Sequence, residues 1–174
     1  MRIIELSHTI TLLLDIAAWF VIHLAVSVLA LRLPARLFAE DSFLYRIRGW
    51  EDSGRLWQRL LRVKSWKHRI PDGTLILKKG YNKSRLSGTG KSDLLLFVRE
   101  SRRAELTHWL SMAPAPLFFL WNPAWAGWLM VLYAVLFNAP IIVAQRFNRP
   151  RFRLLAERMA GGGPSRQAGA AGDT

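Results

Sequence analysis

His68 and Asp72 stand four residues apart in WKHRIPDG, residues 66–73, flanked by Lys67 and Arg69. A carboxylate that holds one tautomer of an imidazole leaves the other ring nitrogen to take a proton from a hydroxyl. An alcohol activated in this way can attack a thioester. Glu105 and His108 form a second acid–histidine pair, and their spacing of three puts them on one face of a helix. Asn138, Gln145 and Arg149 are spaced by seven and four and share a face of another helix, with Arg146 and Asn148 at its exit. Amide and guanidinium donors suit a developing oxyanion. Cations such as Lys67, next to Trp66, suit the phosphates of acyl-CoA or the surface of an acidic carrier protein. These residues suggest an acyl transfer with His68 as general base and Asp72 as its orienting partner. Glu105 and His108 are the competing base pair, or they position the acceptor. Asn138, Gln145, Arg146, Asn148 and Arg149 would bind the donor or the oxyanion, and Trp66 and Lys67 would contact substrate.

Each motif also has a plainer reading. Pro71-Asp72-Gly73 is ordinary turn chemistry. Glu105-x-x-His108 could be half of a metal site, but di-iron bundles need two of these motifs and further carboxylates and the sequence has one, so a helix-face ion pair is the commoner reading. No metal and no cofactor are expected. QRFNRPR, residues 145–151, could be a charge run that stops translocation, which accounts for its arginines but not for Gln145 and Asn148. Asn138 lies in an apolar stretch, where an amide must find partners. His8 and His23 read as structural.

The elements that must position these groups follow from hydropathy. The chain has 174 residues, a net charge of +13, 51% hydrophobic residues, eight Trp and no Cys. Cysteine nucleophiles, disulfides and thiolate metal sites are excluded. So much charge beside so much apolar surface fits a membrane protein with a basic cytoplasmic face. Residues 9–33 and 124–144 are long enough to cross a hydrocarbon core of about 30 Å. Residues 106–121 are a shorter apolar stretch interrupted by Pro114 and Pro116, and WNPAW, residues 121–125, reads as a turn. Asp15 and His23 interrupt the first stretch, so they should face protein.

Residues 34–104 hold six Lys and eleven Arg against seven Asp and Glu. Within them, Ser53 could cap a short amphipathic helix carrying Leu56, Trp57, Leu60 and Leu61 on one side, suited to lipid headgroups. Trp50, Trp57 and Trp66 would anchor it at the interface. Residues 78–92 read as a loop, residues 93–110 as a helix, and residues 159–174 as a disordered tail. The expectation is an all-α integral membrane protein of one domain, residues 1–158. It would have about three spans and a basic amphipathic cytoplasmic segment, with the N-terminus outside and the C-terminus inside.

WKHRIPDG, RRAELTHWL and NAPIIVAQRFNRPR, in this order and at these separations, resemble the glycosyl-4,4'-diaponeurosporenoate acyltransferase family. The resemblance extends upstream to Glu51, Gly54 and Trp57 of WEDSGRLW and covers roughly residues 30–155. It implies a small multi-pass protein of the cell membrane that attaches a fatty acyl chain to a sugar hydroxyl of a carotenoid glycoside, as in staphyloxanthin synthesis. The partners would then be the bilayer, an apolar glycosylated acceptor and an acyl thioester, with no nucleic acid. The long first apolar stretch, the Gly/Ser-rich loop and the extended tail depart from that pattern. The contrasting reading is a non-catalytic basic membrane protein that gathers anionic lipid or a partner protein. It accounts for the charge and the tryptophans but leaves His68, Glu105, His108 and Asn138 without a role.

Overall fold

The computed structural model describes residues 3–70 and 90–161, and among these every regular element is helical. Helix α1, His8–Arg32, is capped by Ser7, whose side chain accepts from the Ile10 amide. Short helices α2 (Arg55–Leu61) and α3 (Val63–Trp66) follow, with 3-10 turns at Ala35–Phe38, Gly49–Gly54 and Lys67–Arg69. Helix α4 spans Lys91–Met112, and α5 spans Ala124–Gly161. The described residues place helix where the sequence suggested the end of a loop at 91–92 and the start of a disordered tail at 159–161.

Helices α4 and α5 pack as an antiparallel hairpin. His108 meets Asn138, Glu105 meets Arg146, Ser101 meets Arg149, and the Phe97 and Phe152 rings lie 4.2 Å apart. Residues 106–121 are not one helix. Pro114 and Pro116 cannot donate backbone hydrogen bonds, so α4 stops at Met112 and the chain continues as a 3-10 turn, Ala115–Leu120. Among the described residues, two helices are long and apolar enough to cross a membrane, namely α1 and the apolar part of α5. At about 1.5 Å per residue, α5 outruns a bilayer core of about 30 Å, so its charged half extends beyond its apolar half.

The apolar core joins α1 to the hairpin. Trp19 stacks on Phe118 at 4.5 Å, packed with Ala115 and Ala134. Asp15 is buried and accepts from the Trp121 indole and the Asn122 amide, both at 2.7 Å. A carboxylate in an apolar helix is thus satisfied by the WNPAW turn. His23 lies between the Trp19 and Phe137 rings. Helix α1 starts beside that turn and runs parallel to α5. The segment after α1 is tied to α4 by buried Arg102, which donates to Asp41 and to the Phe38 and Ala39 carbonyls.

Helix α2 does not start as the sequence suggested. Ser53 caps nothing. It sits at φ 52, after Asp52 at φ 50, and α2 begins from Gly54 at φ 83. Left-handed backbone costs a non-glycine residue about 1–2 kcal/mol, so this turn is held by what it touches. A Cβ on Gly54 would lie 3.0 Å from the Arg146 carbonyl oxygen and 3.2 Å from the Phe147 backbone. Pro150 has no N–H to offer that carbonyl, four residues back along α5. Gly54→Ala combines backbone strain with overpacking and is expected to cost about 2–4 kcal/mol, read as a lower unfolding midpoint of the purified protein. Of the three tryptophans expected at the interface, Trp50 is 62% exposed. Trp57 and Trp66 are half-buried and pack toward α5 beside Val63, Val143 and Phe147.

Candidate active site

Four ionic side chains are buried where α4, α5 and the 49–54 turn meet. Glu51 and Glu105 are 0% exposed, Arg149 is 2% and Arg146 is 8%. Arg146 is a fork with two acids. Its Nε donates to Glu51 Oε2 at 2.8 Å, one Nη to Glu51 Oε1 at 2.5 Å and the other to Glu105 Oε1 at 2.5 Å. Its remaining protons reach the Leu44 and Arg46 carbonyls at 3.2 and 2.9 Å. Arg149 donates to the second Glu105 oxygen, to Ser101 Oγ at 2.9 Å and to the Tyr45 carbonyl at 2.8 Å. Two carboxylates balance two guanidiniums, which a buried charge requires.

Glu51 also accepts from the Arg48 amide at 2.8 Å and the Trp57 indole at 2.9 Å. Burial alone would push its carboxyl up, but hydrogen bonds from Arg146, Arg48 and Trp57 outweigh that and hold it below its ordinary value of 4.5. A carboxylate depressed on folding adds stability above its unfolded pKa and loses it as the pH falls through the folded one. Thermal stability followed from pH 7 downward is therefore expected to hold on this account to about 4.5 and then fall as Glu51 protonates and Arg146 loses one of its two acids.

One turn along α4, His108 Nδ1 lies 2.8 Å from Asn138 Oδ1. Asn138 is 0% exposed and its Nδ2 donates to the Ala134 carbonyl at 2.8 Å. The amide nitrogen is thus committed to a carbonyl, and the oxygen faces the ring. An amide oxygen only accepts, so Nδ1 carries the proton, and in the neutral ring Nε2 carries the lone pair. This arrangement fits a general base with a fixed tautomer.

The sequence-derived candidates separate into three groups. Glu105, His108, Asn138, Arg146 and Arg149 come together in the α4–α5 seam. The two Glu105 oxygens go to Arg146 and Arg149, and the His108 Nδ1 faces Asn138 rather than Glu105. Gln145 shares the Asn138 face, and its Oε1 is buried with no hydrogen-bond partner among the described residues. Lys67, Asn148 and Trp66 lie on the other side of α5, where Lys67 Nζ donates to Asn148 Oδ1 at 2.7 Å and the Trp66 indole donates to the Leu61 carbonyl at 2.7 Å. His68 is exposed on the 67–69 turn. Asp72 lies outside the described residues.

Ser101 and the Tyr45 carbonyl had no sequence signal. Glu51, Gly54 and Trp57 did have one, as three close positions of WEDSGRLW, but only the fold shows that Glu51 meets Arg146, Gly54 meets the α5 backbone beside it, and Trp57 donates to Glu51.

The family model for glycosyl-4,4'-diaponeurosporenoate acyltransferase matches residues 41–158, which include every member of the buried cluster and both His108 and Asn138. A protein of that name from Staphylococcus haemolyticus (strain JCSC1435) is 40% identical over 139 residues, covering 80% of this chain and 81% of its own. Its counterpart in Staphylococcus aureus (strain bovine RF122 / ET3-1) is 31% identical over 137 residues, covering 79% and 82%. No solved structure matches. The chain therefore belongs to the glycosyl-4,4'-diaponeurosporenoate acyltransferase family and is an acyltransferase.

Proposed function

We propose that this protein is a membrane O-acyltransferase that moves a fatty acyl group from a thioester to a sugar hydroxyl of a carotenoid glycoside. The names of its relatives support the acceptor class. The observation that carries the mechanism is His108 held by Asn138. His108 Nε2 takes the proton of the acceptor hydroxyl as that oxygen bonds to the thioester carbonyl. The tetrahedral oxyanion then collapses, the C–S bond breaks, and the imidazolium returns the proton to the departing thiolate. Gln145 Oε1 offers a buried acceptor for a neighbouring sugar hydroxyl. The Glu51–Arg146–Glu105–Arg149 cluster keeps α4 in register on α5, and so keeps His108 on Asn138.

The placement in the membrane is part of the proposal. Helices α1 and α5 are parallel, and apolar side chains such as Leu12, Leu13, Ile16, Phe20, Leu132 and Leu136 are exposed along them, as lipid contact requires. With the basic ends cytoplasmic, the N-terminus lies outside, and α4 with its 3-10 turn makes the third crossing. The apolar acceptor then enters sideways from the bilayer. His68, with Asp72, is the rival base.

Mass spectrometry of lipids and pigments from cells carrying wild type, His68→Ala or His108→Ala tests both points. One acyl mass added to a glycosylated carotenoid by wild type and by His68→Ala, and not by His108→Ala, supports the assignment. The reverse pattern transfers the base to His68, and no acylated product from wild type in a host that makes the acceptor removes the proposed reaction.

A further inference from the structure

On the face of α5 turned away from His108, cations are gathered without acids to match them. Phe147 is fully buried, with the Arg151 guanidinium carbon 3.4 Å and the Lys67 ammonium 5.1 Å from its ring centroid. Neither cation meets a carboxylate among the described residues. Lys67 has the Asn148 oxygen and Arg151 has the Phe147 carbonyl at 3.4 Å. Burial pushes the Lys67 ammonium down, and the nearby charges of Arg151 and Lys64 push it further. Like charges held together in a half-buried place destabilise the empty site and favour an anion in it.

Arg151 also forms one wall of an open depression of about 530 Å³, lined otherwise by Asp52, Arg55, Gln58 and Arg59. Three arginines face one acid there, and Asp52 already answers Arg55 at 2.6 Å and Arg59 at 3.5 Å. The contrast with the α4–α5 seam is informative. There, each buried guanidinium has a carboxylate, whereas here Asp52 alone answers Arg55 and Arg59 and, among the described residues, Lys67 and Arg151 meet no acid.

We propose that Lys67 and Arg151, together with Arg55 and Arg59, form a binding site for a phosphate ester. Naming its occupant rests on the acyl-transfer reading: the phosphates of a coenzyme A thioester would dock here while the acyl chain reaches the membrane side of α5. An anionic lipid headgroup offers the same chemistry from a second source. A guanidinium forks onto phosphate oxygens, and the ammonium adds a point charge.

The test is a binding measurement on the full chain, and it needs no turnover. Free coenzyme A and inorganic pyrophosphate are titrated into detergent-solubilised protein by calorimetry. In parallel, thermal stability is compared in nanodiscs of phosphatidylcholine with and without phosphatidylglycerol. Arg151→Gln and Lys67→Gln are each expected to weaken binding about tenfold, the scale of one lost charged hydrogen bond. Arg36→Gln, at an exposed position elsewhere, removes the same charge and should not. Arg59→Gln, on the exposed side of α2, keeps the test readable if Arg151→Gln fails to fold.

Residue-specific loss with coenzyme A supports the site and assigns it to the donor. Residue-specific loss confined to phosphatidylglycerol supports the site and assigns it to lipid. Equal weakening by Arg36→Gln, or no binding of any of these phosphates, overturns it. Wild type that binds coenzyme A yet transfers no acyl group would overturn the proposed reaction and leave the site standing.

Discussion

His108→Ala is expected to lower the rate of acyl transfer by about two to four orders of magnitude, the usual contribution of a positioned general base. The ring is half-buried and its loss leaves the ionic cluster intact, so the variant should still insert and fold. The Asn138 oxygen loses its partner in that variant, which costs about 1–3 kcal/mol but not the fold. Purified His108→Ala and His68→Ala should be assayed side by side at saturating donor. A fall in kcat with little change in KM marks a group that acts in the transition state. If His68→Ala shows that fall and His108→Ala does not, the α4–α5 seam is structural and the base lies on the 67–69 turn.

Arg146→Met is expected to cost about 3–5 kcal/mol of stability, because it leaves buried carboxylates without their counter-charge. Both Glu51 oxygens and one of Glu105 bond to that single side chain. Arg146→Lys should recover little of the loss, since one ammonium cannot span two acids in the geometry of a planar fork. The double variant Glu51→Gln with Arg146→Met should be less destabilised than the sum of the single ones, since it removes both a charge and its partner. Unfolding midpoints in one detergent supply the comparison. Additive losses would mean that Glu51 and Arg146 act independently and would remove the cluster's role in setting the α4–α5 register.

Much of this protein was determined by local pattern. The lengths of apolar sequence at 9–33 and 124–144 made α1 and the first part of α5, since helix is the form in which an apolar stretch satisfies its own backbone. Spacings of three, four and seven put Glu105 with His108, and Asn138 with Gln145 and Arg149, on single helix faces. The prolines at 114 and 116 marked where α4 could not continue.

The partners across those faces were decided by tertiary structure alone. Periodicity tells which residues share a stripe on one helix, but it is silent on the register at which a second helix meets that stripe. Glu105 and His108 look like a pair in the sequence, yet Glu105 went to two arginines on α5 and His108 to Asn138. The reason is desolvation. A buried carboxylate is tolerated only beside a cation, and the nearest cations once α5 packs are Arg146 and Arg149. The His108 imidazole meets the Asn138 amide instead. Glu51, 95 residues from Arg146 in the chain, completed the charge balance, and only a left-handed turn ending at Gly54 brought it there.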